Sequence, residues 1–102
     1  MIHVIAKIKT VPGKRADFVA EFHKLVPLVL AEAGCVEYGP TVDAVTDLDA
    51  QQKMGEDVTV IIERWQSLDH LKAHLIADHM TEYRGRVKNL VDSTSLEIYE
   101  TA

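Results

Sequence analysis

Apolar and polar residues alternate from the start of the chain. Ile2, Val4, Ala6 and Ile8 stand against His3, Lys7 and Lys9, with Ile5 breaking the polar set, which predicts a strand over about residues 2 to 10. Pro12 and Gly13 in "VPGK" end it. The period then changes: Phe18, Phe22, Leu25, Val26, Val29 and Leu30 recur at three- and four-residue spacing, predicting an amphipathic helix over about residues 14 to 33. Pro27 lies inside that helix and predicts a kink near Lys24 to Pro27. Gly34 is placed to be its C′ residue, because glycine takes the left-handed conformation without a Cβ penalty. A second strand is expected over about Cys35 to Val45.

Residues 46 to 57, "TDLDAQQKMGED", are polar and aperiodic and read as a long loop, functional or mobile. "VTVIIERW" follows, β-branched and apolar on both alternating sets, as expected of a strand buried on both faces. Ser67 suits the N-cap of a helix carrying Leu68, Leu71 and Leu75, and Asp78 could cap a second helical piece. Met80, Tyr83, Val87, Leu90 and Val91 continue at helical spacing, and "SLEIYE" alternates as a last strand. The order β-α-β-β-α-β predicts a ferredoxin-like α+β domain: a four-stranded antiparallel sheet with both helices on one face. The other face would be bare and partly apolar, so a homodimer burying sheet against sheet is expected.

A chain of 102 residues suits one domain, here 1 to 102, and 47% hydrophobic with 26% charged residues fits an ordered globular protein. A net charge of −5 without a basic run argues against nucleic acid as a partner. No apolar run is long enough to cross a bilayer, so no membrane partner is expected. Cys35 is alone, which excludes an internal disulfide, and no leader precedes the first strand; a cytoplasmic location is the expectation.

Three stretches give the chain a family likeness: "VPGK" at 11 to 14, "EAGCVEY" at 32 to 38 and "IERWQSLDHLKAHLIADHM" at 62 to 80. With this element order the chain resembles the antibiotic biosynthesis monooxygenase family, small dimeric α+β barrel proteins that include quinol monooxygenases. The resemblance implies a pocket between sheet and helices, and oxidation of an electron-rich quinol or phenol by O2 without flavin, haem or metal. No cofactor is expected, and no Gly-rich phosphate loop is present. Trp65, His74 and His79 match family positions. Where the polyketide-oxidising members place an amide and a tyrosine, this chain has Ile61 and Leu71. Near the positions where haem-degrading relatives need an axial histidine and an amide, it has Arg84 and Ala6, which disfavours haem.

Each candidate residue has a functional and a plainer reading. Trp65 alternates with Glu63 and Ile61, so indole and carboxylate share a sheet face, as an aromatic wall for a flat ring or as a core tryptophan. Glu63, if buried, would have a raised pKa suited to a general base; otherwise it pairs with Arg64 or Lys72 at the rim. His70 and His74 are four apart and could share a metal, but the lone Cys35 completes no ligand set, so no metal is expected. His79 opens the second helical piece, where the helix end favours a neutral imidazole able to transfer a proton; its plainer role is a cap. Tyr38 and Tyr83 either line the pocket mouth or simply pack, and Met80 is a flexible filler or a substrate contact. The reading is a cofactor-independent monooxygenase in which Trp65, Tyr38, Met80 and Tyr83 contact substrate. Glu63, His74 and His79 are the candidate catalytic groups. A non-catalytic binding module and a cofactor-free isomerase of a small carbonyl compound are the alternatives.

Overall fold

The computed structural model describes residues 1–102. Its elements are β1 (Ile2–Thr10), α1 (Arg15–Leu30), β2 (Cys35–Thr41), β3 (Val58–Trp65), α2 (Leu68–Leu75), α3 (Asp78–Val87) and β4 (Val91–Glu100). The strands form one antiparallel sheet in the order β2-β3-β1-β4. This is the expected ferredoxin-like α+β arrangement, with the second helix divided in two.

The division falls at Ile76 and Ala77, which are not helical. Ser67 caps α2 as expected, its hydroxyl accepting from the His70 amide at 3.2 Å. Asp78 is not a cap. Ala77 occupies that position in extended conformation, and Asp78 is the first helical residue, where its charge complements the positive helix end. The helical spacing also ran too far at the other end. A turn from Leu90 N–H to the Val87 carbonyl closes α3, and Val91 pairs with Thr10 in β4.

α1 runs through Pro27 but ends at Leu30 with Ala31 as its C-cap, short of the expected residue 33, so Gly34 is not the C′ residue; it takes φ +80° in the turn that follows. β2 ends at Thr41, before the expected Val45, which lengthens the following loop to residues 42 to 57. That loop is closed on itself: the Asp43 carboxylate accepts from the amides of Met54 and Gly55 at 3.0 and 2.9 Å.

Alternation in the strands decides the two faces of the sheet. Val4, Ala6 and Ile8 of β1 and Thr59, Ile61, Glu63 and Trp65 of β3 are buried under the helices. α1 covers them with Phe18, Phe22, Leu25 and Val29, α2 with Leu71 and His74, and α3 with Met80, Tyr83 and Val87. Burying one such large apolar side chain contributes about 1.5–3 kcal/mol. The opposite face of β3, Val58, Val60, Ile62 and Arg64, is only half-buried in the single chain, contrary to the expectation of burial on both faces. β4 projects beyond the helices, leaving Leu96 45% and Ile98 46% exposed on the helix side. No helix is long and apolar enough to cross a membrane.

Candidate active site

Register assembles the site before any side chain is considered. Across the helix-covered face, Tyr38, Glu63 and Val4 lie in one row, and Pro40, Ile61 and Ala6 in the next. Above these rows, between the sheet and α1, α2 and α3, is a cavity of about 440 Å3. Its walls are mostly apolar, with Phe22, Ile61, Met80 and Tyr83 among them. Glu63 and His74 are the carboxyl and the imidazole at its buried end, exposed by only 5% and 1%.

Glu63 is held from behind. Two residues along the same strand face, Trp65 Nε1–H donates to Glu63 Oε1 at 3.0 Å. Burial pushes the Glu63 carboxyl from 4.5 up to about 7; the Trp65 hydrogen bond works against this and the negative charge of Glu32 adds to it. Arg64 points to the other face and pairs with Glu37 at 3.3 Å, so the rim ion pair considered for Glu63 does not form.

His74 lies against the Trp65 indole at 4.7 Å between ring centroids, with the Tyr38 ring meeting it edge-on at 5.3 Å. Its Nδ1 is 2.8 Å from Glu32 Oε2, and His79 Nε2 is 2.8 Å from the same oxygen. A carboxylate only accepts, so both nitrogens carry hydrogens. His74 is thereby assigned the Nδ1–H tautomer, which leaves Nε2 with its lone pair and no partner in the protein, on a side chain that lines the cavity. Burial lowers the His74 pKa, with the Glu32 hydrogen bond opposing it.

Glu32 is set by the turn after α1. Its amide donates to the Val29 carbonyl at 2.9 Å, and the Gly34 carbonyl accepts from Gln66 N at 2.8 Å, tying this turn to the end of β3. The His70 ring, hydrogen bonded to Ser67 Oγ through Nδ1 at 2.7 Å, packs where a Cβ on Gly34 would stand. His70 is thus separate from His74, and the metal pair considered from their spacing does not exist. The three donor atoms that do converge belong to Glu32, His74 and His79, all within 4.8 Å of one another. Their 2.8 Å contacts are hydrogen-bond distances, and each donor is occupied by another member of the set. They form a hydrogen-bonded triad in which two imidazole N–H groups converge on one carboxylate oxygen.

Five of the seven sequence candidates line the cavity: Glu63, His74, Tyr38, Met80 and Tyr83. Burial raises both tyrosine pKa values, so their phenols stay protonated near neutral pH. Trp65 and His79 are not in the wall. Trp65 is completely buried and acts on the cavity through Glu63 and His74; His79 reaches it only through Glu32. Glu32 itself was missed, although a signal existed: a carboxylate just past the C-terminus of a helix opposes the helix dipole and needs a compensating partner.

The fold and this site define a small ferredoxin-like α+β domain with a carboxyl and an imidazole buried at one apolar pocket, and comparison with known proteins gives the family. The model of the antibiotic biosynthesis monooxygenase family matches residues 1–86, and the chain belongs to that family. It is 41% identical over 102 residues to the protein named "Probable quinol monooxygenase YgiN" of Escherichia coli K12, covering 98% of this chain and 97% of that one. Among solved structures, a conserved protein of Methanosarcina mazei superposes with a TM-score of 0.82 at 24% identity, covering 99% of this chain and 92% of that one. A protein of Pseudomonas aeruginosa gives 0.79 at 24% identity, covering 99% and 94%. These two structures bear on the fold alone.

Proposed function

We propose that this protein is a cofactor-independent monooxygenase that oxidises a small quinol or related phenol with O2. The observation that carries this reading is the pairing, at the closed end of an apolar cavity, of a carboxyl with a pKa near 7 and an imidazole fixed as an acceptor. The 41% identical relative, named as a quinol monooxygenase, supports the same activity.

His74 Nε2 takes the proton of the substrate hydroxyl, and Glu32 stabilises the imidazolium that forms. Glu63, about half ionised near neutral pH, accepts a second proton. A quinol so deprotonated is electron-rich enough to reduce O2 itself. The overall change is quinol plus O2 to hydroxyquinone plus water: a ring C–H becomes C–OH, two O–H bonds become carbonyls, and the O–O bond breaks. Trp65 aims Glu63, His79 aims Glu32, and Tyr38, Met80 and Tyr83 enclose the ring.

The working unit in this reading is a homodimer formed through the outer sheet face, where Ile5, Val60 and Ile62 are half-covered in a single chain. We place it in the cytoplasm, consistent with the unpaired Cys35, whose thiol burial holds at about 11. The decisive experiment is oxidation of a naphthohydroquinone under 18O2. One labelled oxygen in the hydroxyquinone, with one O2 used per quinol, supports the reading. Unlabelled quinone at the rate of the enzyme-free control refutes it.

A further inference from the structure

The cavity also has an exposed, charged side, which begins at Arg84, whose charge reaches His74, and runs on to Lys88. Arg84 and Lys88 both line it, together with Thr94 at the edge of β4. They are four residues apart on the stripe of α3 that begins at Met80, so one helix face passes from buried Met80 to exposed Arg84 and Lys88. At 1.5 Å per residue, Lys88 lies about 12 Å along the helix from Met80. The sheet tells the same story. Thr94 pairs with Ile8, whose other partner is Thr59, four residues before Glu63 on β3. Thr94 is therefore about 16 Å of backbone diagonal from Glu63, counting about 3.3 Å per residue along the strand and about 4.8 Å per strand across it. Burial falls along this diagonal: Glu63, His74, Tyr38 and Met80 are buried, while Arg84, Lys88, Thr94 and Leu96 are exposed.

The two cations are also unneutralised. In a chain with 16 acidic and 11 basic side chains, neither has a carboxylate partner; Arg84 donates only to the Leu75 carbonyl, at 2.7 Å. Both also stand at the negative end of α3, which favours cations. Arg86, in the same last turn, is turned away from the cavity and pairs with Glu21 and Glu82.

We propose that Arg84 and Lys88 form an anion subsite at the cavity mouth, selecting an aromatic substrate with a carboxylate at the end of the ring system remote from the reacting hydroxyl. This deepens the proposed function and rests on its assignment of Glu63 and His74 to the hydroxyl end. A fused two-ring acid is shorter than this backbone diagonal, and the reach of the Glu63 and Lys88 side chains into the cavity makes up the difference: the hydroxyl enters first and the carboxylate stops at the cations, where a charge-assisted pair forms at the solvent boundary.

Calorimetric titration of the intact protein at low ionic strength with three naphthols tests the subsite without needing turnover. Against 2-naphthol, 6-hydroxy-2-naphthoate should bind about tenfold more tightly, as one charge-assisted contact allows. The isomer 3-hydroxy-2-naphthoate, with adjacent hydroxyl and carboxylate, should show no such gain. Lys88→Met should reduce the preference at least about threefold, and Lys88→Glu should abolish it, with unchanged circular dichroism establishing the fold. Equal affinities for 2-naphthol and 6-hydroxy-2-naphthoate, no binding of either, an equal gain for both acids, or a preference that survives Lys88→Glu would each overturn the subsite. The preference persisting without oxygen uptake from any quinol would sink the proposed reaction and leave the subsite standing. Oxygen uptake with no preference would do the opposite.

Discussion

Glu32 Oε2 lies 2.8 Å from His74 Nδ1, joining the turn after α1 to the last turn of α2 across 42 residues of sequence. That contact sets which nitrogen of a buried histidine carries the hydrogen and leaves the other with its lone pair free. His79 holds the same carboxylate oxygen from its other side, so neither Glu32 nor His74 can rotate without breaking a hydrogen bond.

Replacing Glu32 should therefore damage chemistry more than folding. Glu32→Gln keeps the shape and one acceptor oxygen but loses the charge that stabilises the imidazolium. We expect kcat for quinol oxidation to fall about 10²-fold while KM stays within about twofold. His79→Gln retains a side-chain N–H for Glu32 and should cost less than His79→Ala. Equal losses in the two His79 variants would argue against a positioning role.

Glu63 leaves a signature in stability as well as in rate. Its folded pKa of about 7 lies above its ordinary 4.5, so the folded state holds a proton that the unfolded chain releases. The stability it contributes is complete below about pH 4.5 and is lost as pH rises through 7, a decline of about 3 kcal/mol. His74 has the opposite sign: its lowered pKa costs stability as pH falls below the usual histidine range. Glu63→Gln removes the first slope alone, and denaturant melts should show the variant about 1–3 kcal/mol more stable than the parent at pH 8 and close to it at pH 4.5. A constant difference across that range would mean that Glu63 does not titrate there.

Trp65→Phe separates orientation from packing. The variant loses the N–H that favours the ionised Glu63, so the ascending limb of the pH–rate profile should move to higher pH. Loss of the indole should also cost about 1–3 kcal/mol of stability. If stability falls and the profile stays in place, Trp65 is a core residue without influence on Glu63.

Most of the fold was legible because its strands and α1 are strongly periodic and its turns carry Gly13, Gly34 and Ser67 at the positions their geometry needs. Errors fell where local pattern is ambiguous. Leu90 and Val91 fit a helical stripe in sequence, but β1 offers Val91 a pairing partner in Thr10, and the sheet wins. Asp78 resembled a cap because an N-cap and the first helical turn favour the same acid. Within the site, Glu63 followed from strand alternation, and His74 from the family resemblance of its helical motif. Glu32 depended on a tertiary contact that no local spacing encodes. Trp65 was placed on the correct face, but whether a residue there meets the cavity or lies behind it depends on depth, which alternation does not report.

Gly34 joins two constraints that could be tested together. Its φ of +80° disfavours any side chain, and a Cβ would stand 2.2 Å from the His70 ring. Gly34→Ala should destabilise the protein by at least about 2 kcal/mol. Because the same turn sets Glu32, activity below the melting temperature should fall too. Adding His70→Ala should recover part of the stability, since the backbone strain persists when the clash is removed. No recovery would show that the ring is not what the Cβ meets.

In the proposed reaction His74, held by Glu32, and Glu63 share the removal of substrate protons. The most direct measurement of that step is the pH dependence of single-turnover oxygen uptake with a naphthohydroquinone in the parent, His74→Gln and Glu63→Gln. The rate should rise through about pH 7 in the parent and fall about 10²–10⁴-fold in His74→Gln with folding intact. In Glu63→Gln, the limb near pH 7 should disappear. Parent-like rates and the same pH profile in both variants would contradict the proposed reaction.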